Sequence, residues 1–507
     1  MNRRLVHRWT AIAATVAALT GPGRGADAPD REPVELASPR EAPVLQVLTT
    51  RQEFDPFIPW QKRQPAERTG YGVVVGSNTV LTTENVVRQQ SLVELVAPRS
   101  GRRIPARVVL ADEQVNLALL RLPAGAEDRI PAPCAVSDRE KPEATLTVVQ
   151  LDATRELQSG GATLLRVQVD GLPAAGYASL LADVLTDLSV NAEGAPVFGA
   201  DGRLGGLVCG YTAANRTARI LPAVVIQRFL RDAAQTPYPG AASAGFLWRP
   251  LVDPARRQWL GVDGETGGVL VLSCVSGWGA EGALRPNDVI LNWDGYAVDD
   301  LGYYADPVLG RLLFPYLIKG HRRPGDRVPV QIVRAGKVQP VEVELRRANE
   351  ASMLIPDNTR GEREAYLLEA GLLLREATGR YLQAPGPSWQ RQVDSALVHL
   401  YLTRKLAPAR AGQRVVMLAM VLPHPINIGY QHFFGRIVTH VNGKPVDNLR
   451  DVFTIRDSDG HIVRLTLKDV GTDVVLDPAG IDAANRELAD LYDIPAMRWP
   501  AEAEALP

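Results

Sequence analysis

The chain has 507 residues, of which 46% are hydrophobic and 22% are charged, and such proportions indicate a globular protein of roughly three domains. The 56 Lys and Arg residues nearly balance the 57 Asp and Glu residues, and the net charge of -1 excludes an electrostatic case for nucleic acid or an anionic membrane as partner. Beyond the first 28 residues, no stretch reaches the ~18 to 20 apolar residues that a transmembrane helix needs.

Residues 1–28 predict a signal peptide for export. Three arginines, Arg3, Arg4 and Arg8, precede an apolar run from residue 10 to residue 19, and small residues follow it. The run is too short to span a bilayer. Residues 29–42 are rich in proline and charge and predict a tether. We therefore expect a soluble mature protein in the periplasm or outside the cell.

The spacing of cysteines and histidines predicts no metal site, and we expect no cofactor. The chain contains three cysteines, Cys134, Cys209 and Cys274. Their odd number and irregular spacing favour separate thiols, with a bridge from Cys134 to Cys209 as the alternative. Three histidines recur every eight residues, His424, His432 and His440. That interval places no ligand set on one helix or strand, so we expect packing or surface histidines.

From Val44 onwards, short apolar stretches separated by turns predict an antiparallel β-barrel. The clearest hairpin joins Gly72–Gly76 to Thr79–Thr82 through Ser77 and Asn78. Further strands are predicted at 93–96, 104–110 and 117–122. A helix within residues 220–234 is predicted because four apolar side chains share one face, Val225, Ile226, Phe229 and Leu230.

The stretch that decides the functional prediction runs from Thr186 to Gly210. Ala195–Phe198 and Asp201–Leu207 resemble the strand, turn and strand that follow the nucleophile in trypsin-like proteases of the Deg/HtrA family. In that family a Gly-Asn-Ser-Gly-Gly-Pro turn precedes them, with the serine three residues before the proline. Glu193 stands at that position, and the turn is two residues shorter.

The same resemblance locates the other two members of a catalytic triad. Leu81–Val87 is similar to the family's Leu-Thr-Asn-x-His-x-Val, and Asn116–Leu120 to its Asp-Leu/Ile-Ala-x-Leu. The resemblance therefore implies Asn85 in place of the base and Asn116 in place of the orienting acid. An amide neither accepts a proton near neutral pH nor stabilises an imidazolium. With Glu193 at the nucleophile position, we predict a degenerate triad and no catalytic residue.

The absence of suitable side chains supports this prediction. No histidine follows His7 until His321, and no serine or threonine lies between Val190 and Pro196. Two functional readings of Glu193 remain open: a general acid paired with Asp187 or Asp183, or a carboxylate that accepts backbone N–H groups in the former oxyanion pocket. We favour a third, in which Glu193 is a solvated loop residue.

Residues 246–349 resemble a PDZ domain. Leu260-Gly261-Val262 is similar to the loop that holds a peptide's terminal carboxylate, and residues 286–295 are similar to the family's Gly-Asp-Val-Ile strand pair. The resemblance implies that a ligand is added as an extra strand and that a side-chain pocket selects it. Leu260, Val262, Phe314 and Leu317 are the candidates for that pocket, although core packing explains the last two equally well.

Residues 362–477 resemble a second PDZ-like domain with a helical insertion, and 478–507 a final helix and tail. Ala370-Gly371-Leu372 stands at the carboxylate-loop position. In the insertion, Ser388 is predicted to cap a helix that carries Trp389 and Leu397 on one face. The insertion and the motif Asn427–Tyr430 are most similar to the plant-organelle branch of the Deg proteases, in which the second PDZ domain serves assembly.

We therefore predict a mainly β protein, with a chymotrypsin-like double six-stranded β-barrel over residues 43–238 and two PDZ-like α+β domains after it. The predicted function is that of an inactive Deg/HtrA-type homologue that binds protein C-termini or unfolded polypeptides through its first PDZ domain. Homo-oligomers, or mixed oligomers with active relatives, are expected. The alternatives are an endopeptidase of envelope quality control with an unrecognised catalytic arrangement, and an assembly subunit that binds no peptide.

Overall fold

The computed structural model describes residues 42–172, 178–262, 266–358 and 361–502. The predicted signal peptide and, apart from Ala42, the predicted tether lie outside these ranges. Among the described residues, no helix combines the length and the apolar character needed to cross a membrane.

The first barrel is a closed sheet of six antiparallel strands in the order β1-β2-β3-β6-β5-β4. Its strands are β1 (Val44–Arg51), β2 (Ala66–Gly76), β3 (Thr79–Thr82), β4 (Gln90–Val96), β5 (Arg103–Asp112) and β6 (Leu117–Arg121), and the short helix α1 (Glu84–Val87) follows β3. The predicted hairpin forms, with Val73 opposite Leu81. Alternate side chains fill the barrel, among them Val47, Val74 and Leu95, which are completely buried.

The second barrel is also closed, in the order β10-β11-β12-β9-β8-β7. Its strands are β7 (Thr145–Leu151), β8 (Leu157–Gly171), β9 (Ala178–Thr186), β10 (Pro196–Phe198), β11 (Leu204–Thr212) and β12 (Thr217–Pro222), and helix α2 (Ala223–Ala233) follows. Ile226 and Phe229 on the predicted face of α2 are buried. The two closed six-stranded barrels confirm the predicted fold class. Cys134 and Cys209 are separate buried thiols.

A first α+β unit follows the second barrel. Its elements are β13 (Ala242–Ser243), β14 (Phe246–Pro250), α3 (Pro254–Leu260), β15 (Val269–Cys274), β16 (Val289–Trp293), β17 (Tyr296–Ala297), β18 (Tyr303–Asp306), β19 (Gly310–Leu313), α4 (Pro315–Lys319), β20 (Arg327–Arg334), β21 (Lys337–Glu344) and β22 (Arg346–Arg347). Its main sheet has the order β14-β15-β16-β20-β21, so that β14 is a terminal strand. The unit docks on the second barrel, where Lys319 Nζ donates to the Ala178 carbonyl at 2.9 Å.

A second α+β unit forms the rest of the described chain. Its elements are β23 (Tyr366–Glu369), β24 (Leu372–Glu376), α5 (Gly379–Gln383), α6 (Ser395–Arg404), β25 (Val416–Val421), β26 (Arg436–Val441), β27 (Lys444–Pro445), α7 (Leu449–Asp459), β28 (Arg464–Leu467), β29 (Val474–Val475), α8 (Pro478–Leu491) and β30 (Arg498–Trp499). Strand β30, near the C-terminus, pairs antiparallel with β23. The edge that β23 would otherwise expose is therefore partly covered by the chain itself.

The helical insertion differs from the prediction. Ser388 caps no long helix, because Trp389–Arg391 forms only one 3-10 turn, and α6 begins separately at Ser395 with Asp394 as its cap. The final helix does begin at Pro478 after Asp477, as predicted. The domain boundaries at single-residue precision remain predictions.

The loop between β1 and β2 packs into the second α+β unit. Phe57 meets Tyr381 edge to face, and Trp60 lies against Tyr366 with ring centroids 5.7 Å apart. The completely buried Arg375 donates to the Pro56 carbonyl and pairs with Glu364. The first barrel and the last unit therefore share a core that the strand pattern alone does not predict.

Phe314 provides a test of packing in the first α+β unit. It is completely buried, and its ring contacts those of Phe246, Trp248 and Trp293. Removing the ring leaves a cavity, so we expect Phe314→Ala to lower the free energy of unfolding by about 3–5 kcal/mol. Denaturant unfolding measures the change, and Val338→Ala, at a side chain 58% exposed, should change it by less than about 0.5 kcal/mol. Equal losses would show that Phe314 is not a core residue.

Candidate functional site

Glu193 lies on the turn that joins β9 to β10, and backbone contacts fix that turn. The Glu193 carbonyl accepts the Tyr71 N–H, and the Gly194 N–H donates to the Val208 carbonyl, both at 2.8 Å. Gly194 has a φ of +83°, and a Cβ there would stand 2.0 Å from the Tyr71 carbonyl oxygen. Only glycine fits this close approach. The shortened turn is therefore held tightly against β2.

Asn191 anchors the segment before Glu193. Its side-chain amide donates to the Leu151 carbonyl at 3.1 Å, and its Oδ1 accepts the Tyr71 hydroxyl at 2.9 Å. Its backbone N–H donates to Gln150 Oε1 at 3.1 Å. These contacts connect the turn to both barrels, since Tyr71 belongs to the first and Gln150 to the second.

Asn85 and Asn116 come together beside α1. Asn116 has a φ of +53°, a left-handed conformation that asparagine tolerates better than most residues. Its Oδ1 accepts the backbone N–H of Asn85 at 2.9 Å. At the start of a helix this N–H has no partner within the helix. Asn116 therefore binds the backbone of residue 85 and leaves the Asn85 side chain free to reach the opposite barrel.

The Asn85 side chain contacts Glu193 directly. Asn85 Nδ2 lies 2.8 and 2.9 Å from the two carboxylate oxygens of Glu193. Arg68 donates to Asn85 Oδ1 at 3.0 Å and to Glu193 Oε1 at 3.2 Å. All three predicted triad positions are thus assembled at the junction of the barrels, and Arg68 joins them.

Burial sets the electrostatics of this cluster. Only 22% of the Glu193 side chain and 25% of the Arg68 side chain are exposed. Desolvation raises the pKa of Glu193, although the hydrogen bond from Asn85 and the charge of Arg68 act in the opposite direction. Desolvation likewise lowers the pKa of Arg68. The ion pair therefore lies in a partly dehydrated site, where desolvation destabilises the charged forms of both side chains.

The contacts of Glu193 correct the reading that we favoured from the sequence. Glu193 is not a solvated loop residue, because the turn faces the first barrel. Its described hydrogen bonds come from the side chains of Asn85 and Arg68, and none comes from the backbone N–H groups expected of an oxyanion pocket. Nor is it paired with Asp183, whose carboxylate binds Arg166 and Arg219.

Arg68 is the member of this cluster that the sequence analysis missed. It lies on β2, 125 residues before Glu193 in the chain, and the motifs around Glu193 give no sign of it. Tyr71 on the same strand was missed for the same reason. A cross-barrel contact of this kind has no local signal in a single sequence.

The predicted carboxylate loop is corrected by the structure. Leu260 is the last residue of α3, and Gly261 is its C-cap with a φ of +70°. The N–H groups of Gly261 and Val262 donate to the Gln258 and Arg257 carbonyls, at 3.1 and 3.0 Å. Both N–H groups are occupied by the helix end, so they cannot hold a peptide's carboxylate. A hydrophobic-glycine-hydrophobic pattern is also typical of a helix C-terminus.

The predicted pocket is not a single pocket either. Leu260 and Val262 pack with Leu251 and Val333, whereas Phe314 and Leu317 belong to another core and are completely buried. Core packing is therefore the correct reading of Phe314 and Leu317.

Strand β14 has the position from which a ligand strand could be added. It is terminal in its sheet, and among the residues that the structure describes it pairs only with β15. Phe246 and Trp248 on this strand are partly exposed, and both rings contact Phe314 near the start of α4.

Comparisons with known proteins agree with this architecture. A trypsin-like peptidase domain model matches residues 70–207, and a PDZ domain model matches residues 355–500. Protease Do-like 2, chloroplastic, from Arabidopsis thaliana is 26% identical over 82% of this chain and 67% of its own length. The putative protease Do-like 3, mitochondrial, of the same plant is 22% identical over 81% of this chain and 71% of its own length.

Bacterial proteins are similar as well. A probable periplasmic serine endoprotease DegP-like from Halomonas elongata is 24% identical over 57% of this chain and 59% of its own length. Among solved structures, the HtrA-type protease AlgWS227A with decapeptide is 18% identical and covers 62% of this chain and 96% of its own, with a TM-score of 0.49.

Two closed barrels that meet at a turn carrying Glu193, followed by sheet-and-helix units, define a trypsin-like peptidase fold followed by a PDZ domain. The chain resembles the Deg/HtrA family, whose members in these comparisons are named as proteases.

The raised pKa of Glu193 predicts how Glu193→Gln changes stability with pH. Because the pKa is raised in the folded state, wild-type stability is favoured below the unfolded value, 4.5, and is lost as pH rises through the folded pKa. Glutamine does not titrate. We therefore expect equal melting temperatures near pH 4 and a higher one for the variant at pH 7, measured by calorimetry.

The exposed glutamate Glu342, changed to Gln, controls for the loss of one charge. A wild-type chain more stable than Glu193→Gln at pH 7 would show instead that the charge of Arg68 outweighs desolvation.

Proposed function

We propose that this protein is a catalytically inactive member of the Deg/HtrA family that acts by binding polypeptides. One observation carries the first half of the proposal: the Asn85 amide donates to both carboxylate oxygens of Glu193. Where a protease has an imidazole accepting a proton from a hydroxyl, this chain has an amide donating to a carboxylate. The direction of the hydrogen bond is the reverse of the one that activates a nucleophile.

Thr82 and Cys209 carry nucleophilic atoms near the turn, and neither is activated. Thr82 is completely buried, and its hydroxyl donates to the Tyr71 carbonyl at 2.7 Å. Cys209 is buried too, and desolvation raises its pKa to about 12, so that the thiolate is scarce at neutral pH. These properties weigh against an endopeptidase with an unrecognised catalytic arrangement.

The second half of the proposal concerns ligand binding by the first α+β unit. A PDZ domain binds by adding its ligand to a sheet edge. Strand β14 offers such an edge, whereas β23 of the second unit already pairs with β30. We infer that protein C-termini or unfolded segments add to β14, and that the second unit serves assembly.

We further propose that the chain is exported and forms homo-oligomers or mixed oligomers with active relatives. The basic and apolar leader supports export, as does the periplasmic DegP-like relative. The chloroplastic and mitochondrial relatives make an organelle the alternative location. An assembly subunit without peptide binding remains the alternative role.

Restoring the serine alone should not restore catalysis. In Glu193→Ser, a hydroxyl would face Asn85, which accepts no proton, and the turn would remain two residues short. We expect no labelling of either wild type or Glu193→Ser by a fluorophosphonate probe, read on a gel beside trypsin. Labelling of the variant would show that another group activates the hydroxyl, and labelling of the wild type would contradict inactivity outright.

Hydrogen exchange tests the binding edge without a mutation. A decapeptide with a hydrophobic residue and a free carboxylate at its C-terminus should slow exchange of amides in Phe246–Arg249, because strand addition engages main-chain groups. The amides of Tyr366 and Leu367 should not change, since both residues already pair with β30. The same peptide with an amidated end is the control.

Protection in β23 instead of β14 would move the binding edge to the second unit. No protection in either strand over a series of such peptides would favour the assembly subunit.

A further inference from the structure

A cavity of about 320 Å³ lies in the second α+β unit, between α6 and strands β25 and β26. Its walls are largely aliphatic and include Leu400 on the helix, Val416 and Val438 on the strands, and Val446 after β27. This size and lining are typical of sites for small ligands or single side chains.

The rim of this cavity is positively charged. Four cationic side chains line it, Arg404, Arg410, Arg414 and Lys468, together with one carboxylate, Asp447. Arg410 pairs with Asp447, and Arg414 pairs with Glu376. The other two cationic side chains are not neutralised by these carboxylates, so the rim keeps a net positive charge.

Arg404 and Lys468 are the two remaining cations. Both are exposed, and within the described part of the chain neither side chain forms an ion pair. They stand on different elements: Arg404 ends α6, and Lys468 follows β28, with its backbone N–H bound to the Ile437 carbonyl at 2.8 Å. An anionic group at the mouth of the cavity would therefore meet cations from two directions.

The cavity is separate from the edge at which a PDZ module adds a strand. Helix α7 packs with one apolar core of the unit, and α6 packs with another that includes Trp389 and Tyr401. Strand β30, which covers β23, bonds through Arg498 to Asp457 on α7. Although Val416, Val438 and Val446 pack in the core of α7, no residue of β23, α7 or β30 lines the cavity.

We propose that this cavity binds an apolar chain that ends in a carboxylate. The aliphatic walls would take the chain, and the two-oxygen anion matches the fork of the Arg404 guanidinium, with Lys468 as a second positive charge. Such a ligand is available from two sources, a free fatty acid or a polypeptide terminus with a large apolar last residue. The inference does not depend on the proposed lack of catalysis.

The test is calorimetric titration of the full-length chain with octanoate. We expect saturable binding at one site, weakened at least about tenfold in Arg404→Gln/Lys468→Gln, because each lost contact is a charge-assisted hydrogen bond. The matched control is Arg107→Gln/Arg121→Gln. These arginines lie opposite each other on β5 and β6 of the first barrel, so the control removes the same charge elsewhere.

Three further measurements test the proposal. Octylammonium, with the same chain and the opposite charge, should not bind. Val446→Glu, which brings an anion into the cavity, should abolish octanoate binding in a folded protein. A hexapeptide ending in leucine, with a free or an amidated terminus, distinguishes the sources: octanoate alone binding indicates a free acid, and preference for the free-terminus peptide indicates a chain end.

Three outcomes would overturn the proposal. The first is equal weakening of octanoate binding in the control pair, which would show attraction to net charge. The second is equally tight binding of octylammonium. The third is the absence of saturable binding by both octanoate and the free-terminus peptide.

Discussion

The structure of the site depends on one interaction, the contact of the Asn85 amide with the Glu193 carboxylate. It crosses the junction of the two barrels, and it is made by the residues at the predicted base and nucleophile positions. A partly buried carboxylate needs a positive partner and hydrogen bonds. Arg68 supplies the positive charge and Asn85 supplies the hydrogen-bond donors. The Glu193 carboxylate therefore finds its partners within the cluster.

This arrangement gives each predicted triad position a structural role. Asn116 binds the backbone N–H of Asn85, the Asn85 side chain binds Glu193, and the Glu193 carbonyl receives the N–H of Tyr71. The turn at Gly194 then leaves no space for a side chain. If the chain lacks catalysis as we propose, this region serves as a link between the barrels, and the binding function resides in the attached units.

The sequence was sufficient to predict the barrels because short apolar stretches alternate with turns, and the turn at Ser77 and Asn78 marks the hairpin. Motif spacing also located Asn85, Asn116 and Glu193, which the fold brings together. It could not find Arg68, whose contact depends on how two barrels pack. The pattern at Gly261 was misread because a helix C-cap and a carboxylate loop share it. The pairing of β30 with β23 likewise depends on tertiary structure.

The most direct test of the central claim is the degradation of fluorescein-labelled casein by the purified wild-type chain. The account predicts a rate indistinguishable from that of Asn85→Ala/Glu193→Ala, prepared in parallel to reveal contaminating proteases. Turnover by the wild type that disappears in this double variant would contradict the account, because it would show that the amide and carboxylate pair performs catalysis.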